Sequence, residues 1–159
     1  MIKKYFFLIL FTTTLSNHLF ANPTYENAEL TIQKMWNSFV EGDVNMFSET
    51  MAQDSDMVTF GTDASEMWDS WNDLKESVKL QFNAFDVLSV TRKNKSLKVN
   101  KSKTAAWFSE TVDWKFLSDG KEESIDGVRY TGVMEYRGGQ WLIVQFHSSV
   151  GVAGQVIEY

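Results

Sequence analysis

Near residue 86 the hydrophobic period of this chain changes from 3.6 to 2 and does not change back. Before that point Ala28, Ile32, Met35, Trp36, Phe39 and Val40 recur on one helical face, and Trp71, Leu74, Val78, Phe82 and Phe85 recur on another. After it, alternating apolar and polar positions predict strands over residues 87–99, 104–116, 125–136 and 141–149. Helices first and a meandering antiparallel sheet afterwards is the order of an α+β domain, in which the helices must bury their apolar stripes against one face of the sheet.

Local signals place the boundaries. Thr24 is a helix N-cap with Glu26 in the first turn, and Gly42 is a C-terminal stop. Asp43 caps a second, short helix carrying Val44, Phe47 and Met51. Met57–Phe60 reads as a short strand closed by Gly61-Thr62-Asp63, and Ser70 with Asp73 resembles a capping box for the third helix. In the first long strand the apolar parity flips from Leu88 and Val90 to Leu97 and Val99, which predicts a bulge or turn near Lys93–Ser96. Asp119-Gly120 makes a loop, and Arg137-Gly138-Gly139 a hairpin turn.

The first 21 residues stand apart from this pattern: Lys3 and Lys4, an apolar run over 5–15, and Leu19-Phe20-Ala21 read as a secretory signal cleaved after Ala21. The run is shorter than the roughly 20 residues that cross a bilayer, and no later run is long and apolar enough to span. A single domain over residues 22–159, periplasmic or secreted, is expected. It carries 13 basic and 21 acidic side chains, a net of about −8, which argues against nucleic acid as a partner. There is no cysteine, so packing alone holds the fold and no thiolate chemistry is available. His147 is the one histidine after residue 21, which removes clustered histidine metal sites; no metal and no cofactor is expected.

Several short motifs fall in a recognisable order: Glu41-Gly42-Asp43 between the first two helices, Thr59-Phe60-Gly61-Thr62-Asp63, Ala105-Ala106-Trp107, then Arg129-x-Thr131, Gly139-x-Trp141 and His147-x-Ser149. Together they resemble the SnoaL-like, nuclear-transport-factor-two-like superfamily, and also the association (hub) domain of calcium/calmodulin-dependent kinase, over residues 24–151. The resemblance implies a cone-shaped, curved antiparallel sheet wrapped around N-terminal helices, a cystatin-like roll. It also implies pairing of two subunits through the outer sheet face. Gln145 replaces a second histidine of the hub pattern, and Val112, Gly132 and Ser148 stand where the hub has pocket arginines, so an anionic-ligand site does not carry over. These folds host isomerases, dehydratases, cyclases, ligand binders and assembly domains, so function has to be read from the site.

Strand parity proposes which face is concave. Phe108, Glu110, Val112 and Trp114 share the apolar side of the central strand, with Tyr130 and Met134 on the next strand and Val144, Phe146 and Ser148 on the last. Trp107, Thr111, Arg129, Thr131, Ile143 and His147 then form the outer face. A bulge near Gly138 would invert the last strand and bring His147 inside.

Glu110 is the one charge in the apolar set. A carboxylate enclosed there resists ionisation, a condition for acid–base work near neutral pH, and Tyr130 could donate to a developing oxyanion. Without a compensating partner its charge would also cost stability. The bland readings are that Glu110 sits in water at the cone mouth or is satisfied by a donor on a helix. His147 reads either as a proton shuttle or as a strand or interface group, and Arg129 either as a substrate contact or as an outer-face ion pair. Trp36, Trp68, Trp71 and Trp114 read either as core or as the lining of a pocket for a flat apolar molecule. Arg92, Lys93, Lys95, Lys98, Lys101 and Lys103 read as a solvated strand whose charges discourage edge pairing, or as a patch for an acidic partner or membrane headgroups. The leading expectation is an exported binder of a small apolar or aromatic molecule. The alternatives are a cofactor-independent isomerase, dehydratase or cyclase using Glu110 as base, and a dimeric assembly module.

Overall fold

The structure is a computed structural model that describes residues 23–154. The expected signal segment, residues 1–21, lies outside the described residues. Three helices, α1 (Tyr25–Glu41), α2 (Val44–Ser48) and α3 (Trp71–Ala84), alternate with two short strands, β1 (Thr59–Phe60) and β2 (Met67–Trp68). Four long strands follow: β3 (Asp86–Val99), β4 (Ala105–Ser118), β5 (Lys121–Arg137) and β6 (Gln140–Ser149). One curved sheet holds all six in the order β2-β1-β6-β5-β4-β3, as the α+β reading and the cone fold require.

The caps form at the residues that specify them. Thr24 Oγ1 accepts from the Asn27 amide at 3.2 Å, and Gly42 ends α1 in the left-handed region at φ 63°. Asp43 Oδ1 accepts from the amides of Asn45 and Met46, which turns the chain directly into α2. Ser70 accepts from the Asp73 amide and starts α3. The buried side of α1 (Ala28, Ile32, Met35, Trp36) packs in one core with Phe47, with Leu74 and Val78 of α3, and with Ala106, Val112, Val128, Met134 and Ile143 of the sheet. Among the described residues no helix is long and apolar enough to cross a membrane.

Bulges shape the sheet and decide which side chains point inward. Between Lys93 and Ser96 three steps of β3 oppose two of β4, Thr111 to Ser109, at the place where the parity flips. Asn94 takes φ 50° there, a conformation asparagine tolerates better than most residues, and its amide donates to Thr111 Oγ1 at 2.9 Å. A second bulge, where Val112 opposes Val128 but Trp114 opposes Ile125, is held by the Gly127 amide donating to Asp113 Oδ1 at 2.9 Å. Gly127 adopts φ 70°, so the bulge needs glycine.

The third bulge corrects the reading of the last strand. Val133 pairs with Gln145 and Met134 with Ile143, which leaves Val144 as the extra residue. Trp141 and Ile143 are therefore buried, and beyond the bulge Phe146 and Ser148 are buried while His147 is exposed. The inversion lies at Val144, not at the Gly138 turn. It moves Ile143 out of the expected outer face and keeps His147 on it. Two further differences are local. The first short strand is confined to Thr59–Phe60, and Met67–Trp68 forms an antiparallel partner to it that no periodicity announced, because a two-residue strand carries no period.

β3 is one edge of the sheet, and its lysines lie along it. Lys93 pairs with Asp113 and Lys95 with Glu29, so part of the apparent basic cluster is locally neutralised. Arg92 is not part of that surface: its side chain is only 6% exposed.

Candidate functional site

A partly open cavity of about 250 Å³ lies between the helices and the concave side of the sheet. Met35, Trp36 and Phe39 of α1 form one wall, and Leu74, Val78 and Gln81 of α3 another. The sheet contributes Trp114, Phe116, Val128, Tyr130, Phe146 and Ser148, and the β1–β2 hairpin contributes Gly61, Thr62, Glu66 and Trp68. The aromatic rings brace one another. Trp36 stands edge-on to Tyr130 at 4.6 Å and to Trp114 at 5.5 Å between centroids, and Phe39 is edge-on to Trp114 at 5.2 Å.

Of the residues expected at the pocket, Trp36, Trp68, Trp114, Tyr130, Phe146 and Ser148 line the cavity. Phe108, Val112 and Met134 share that side of the sheet but are buried in the core and are not part of the lining. Phe108 lies across Gly132, where an added Cβ would come within 2.5 Å of its ring, so it fills space that the missing side chain leaves. Trp71 is core, stacked on Phe47 at 6.2 Å. Arg129 and His147 are exposed on the outer face: Arg129 donates to the Val150 carbonyl at 3.3 Å, and His147 rests beside Phe60. Among the described residues no group of three or more His, Asp or Glu is placed to hold a metal ion.

Glu110 is buried, and both carboxylate oxygens are engaged. Oε1 accepts from the Trp36 indole at 2.6 Å and Oε2 from Arg92 Nε at 2.7 Å. Arg92 also donates through Nη1 and Nη2 to Glu29, at 2.8 and 3.3 Å, and to Gln33 at 3.0 Å. Glu29, Gln33 and Trp36 occupy successive turns on one face of α1, so this network ties the helix to β3 and β4. The burial of Glu110 agrees with its parity, but the carboxylate is neither uncompensated nor part of the cavity lining. Its partner Arg92 stands in the sequence among five lysines, whose company suggests solvent. The available signal was its parity: Arg92 lies two residues after Val90, on the same side of β3, opposite buried Val112.

The polar groups that do line the cavity come mainly from β1–β2, β5 and β6. Tyr130 is half-buried, and burial raises its phenol above the ordinary range against the opposing effect of hydrogen bonds with Trp114 and Ser148. It therefore stays protonated at neutral pH and can donate. Ser148 Oγ donates to the Phe60 carbonyl at 3.2 Å. Glu66 Oε2 accepts from the amides of Thr62 and Asp63 at 2.7 and 3.0 Å. No residue-type pattern marked Glu66, because the β1–β2 turn alone carries it to the cavity.

The profile of the SnoaL-like domain family matches residues 29–153. This chain belongs to that family. Solved structures share the fold of this SnoaL-like protein at low identity. A candidate calcium/calmodulin-dependent protein kinase II association domain from Xanthomonas campestris is 19% identical, with a TM-score of 0.66 over 79% of this chain and 87% of that one. A candidate dehydratase of the nuclear-transport-factor-two-like family from Streptomyces avermitilis is 15% identical, with a TM-score of 0.68 over 80% and 96%. A candidate scytalone dehydratase from Novosphingobium aromaticivorans is 12% identical, with a TM-score of 0.67 over 77% and 80%. No curated protein sequence matches significantly.

Removing one partner of a buried ion pair strands the other, at a cost of about 3–5 kcal/mol. Glu110→Gln is therefore expected to lower stability, the opposite of what an uncompensated carboxylate would give. Glu29→Gln should cost less, because that side chain is 25% exposed and Arg92 keeps Glu110. Urea unfolding of the two variants beside the wild type checks the order; a Glu110→Gln protein as stable as the wild type would remove the network from the account.

Proposed function

We propose that this SnoaL-like protein binds a small, flat, largely apolar or aromatic molecule in the cavity. The supporting observation is the lining itself: eight aromatic side chains (Trp36, Phe39, Trp68, Phe85, Trp114, Phe116, Tyr130, Phe146) around about 250 Å³, with few polar groups among them. Export to the periplasm or outside the cell is part of the same proposal and rests on the pattern of residues 1–21. N-terminal sequencing of the protein from its own host should then begin at Asn22; an intact Met1 would end that part of it.

Calorimetric titration with 1-naphthol, a flat aromatic of suitable size, tests the binding reading. Saturable binding is expected in the wild type, weakened tenfold or more in Trp68→Ala and unchanged in Trp107→Ala. Absence of saturable binding would refute it. The candidate dehydratases among the structural neighbours make acid–base chemistry the second reading, with Tyr130 as donor and Glu110 as base. For Glu110 to serve, one oxygen would have to be released from Arg92 or Trp36.

Either reading is compatible with a homodimer through the outer sheet face. Trp107, 48% exposed, pairs directly with Val133, 39% exposed, and together they leave an apolar patch in water. Ile143, buried beneath the sheet, takes no part in it. Trp107→Glu should shift the protein to monomers in sedimentation velocity. A wild type that is monomeric at high concentration, or an unchanged dimer in the variant, would reject this interface.

A further inference from the structure

Among the described residues Glu66 is the only carboxylate in the cavity lining, and no lysine, arginine or histidine lines the cavity to balance it. It does not project there by chance. An added Cβ at Gly61 would lie 2.2 Å from Glu66 Oε2 and 2.6 Å from its Cβ, so glycine at 61 leaves the space that the folded-back side chain occupies. The Thr62 and Asp63 amides then fix Oε2, while Oε1 has no hydrogen-bond partner among the described residues. Its charge, together with that of Glu110, adds to burial in raising the Tyr130 phenol. Arg92 does not line the cavity, and its charge is paired with Glu110 and Glu29.

A cavity with one fixed negative charge and walls of aromatic rings, whose faces are electron-rich, favours a positive ligand and penalises an anion. We propose that the cavity selects an organic cation, a quaternary or protonated amine borne on a flat apolar body, with its charged group beside Glu66 and its apolar part against the aromatic walls. This rests on the ligand-binding reading above and adds the ligand's charge to it. The lining is polar where β1–β2 meets Tyr130 and Ser148 and aromatic where Phe85 meets Phe116 at 5.3 Å, so an amphipathic molecule finds partners for both of its parts.

The test compares two probes of the same shape, (4-hydroxyphenyl)trimethylammonium and its neutral isostere 4-tert-butylphenol, by calorimetry on the wild type and Glu66→Gln. Glutamine keeps an oxygen to accept from the Thr62 and Asp63 amides, so the loop is retained and only the charge is removed. The wild type should bind the cation at least tenfold more tightly than the isostere, with a preference that shrinks as salt is added. Glu66→Gln should bind the two alike while still binding 1-naphthol. Equal binding of the two probes by the wild type, or a preference that survives in Glu66→Gln, would overturn the cation assignment and leave the apolar-ligand reading standing. If neither probe nor 1-naphthol binds, both readings fall together.

Discussion

Arg92 and Glu110 meet between α1 and the sheet with both side chains almost wholly removed from water. Two such charges are costly to bury, and they are tolerated only where geometry and further hydrogen bonds satisfy what is left over. Here the remaining donors of Arg92 find Glu29 and Gln33, and the remaining oxygen of Glu110 finds the Trp36 indole. The network joins one helix to two strands. It also fixes the Trp36 ring, since an indole held at its N–H cannot rotate away from Tyr130 and Trp114. The walls of the cavity thus depend on a polar cluster that is not part of its lining.

The same arrangement separates two carboxylates that sequence parity cannot rank. Glu110 is saturated by donors and acts on the site through Trp36. Glu66 reaches the cavity from a surface hairpin, with one oxygen engaged by backbone amides. Aromatic walls, one fixed negative charge and a protonated phenol together line the cavity. The fold is shared with solved structures described as a candidate association domain and a candidate dehydratase, so the fold does not specify the chemistry and the polar groups of the site have to be read for themselves.

Much of the cavity was visible in strand alternation. Trp114, Tyr130, Phe146 and Ser148 follow the period-2 pattern, and Trp36 follows the apolar stripe of α1. Phe108, Val112 and Met134 obey the same alternation yet are sealed in the core. Parity assigns a side of the sheet, whereas packing depth decides which residues on that side meet a void. Arg92 shows the converse. Its parity pointed inward, but a run of lysines around it suggested solvent, and only the carboxylates of α1 and β4 make its burial tolerable.

By itself the sequence determined the order of the three helices and the four long strands, the helix caps at Thr24, Asp43 and Ser70 and a bulge or turn near Asn94, because these rest on neighbours a few residues apart or on periodicity within one element; the order of its short motifs carried the family. Tertiary structure decided the rest. The bulge at Val144 depends on where β5 meets β6, and it turned Trp141 and Ile143 inward. The fate of Glu110 depends on residues 18 and 74 positions away in the chain. The place of Glu66 depends on a turn closing over a glycine. The first two are contacts between distant segments whose spacing carries no period, and the third is a turn too short to carry one.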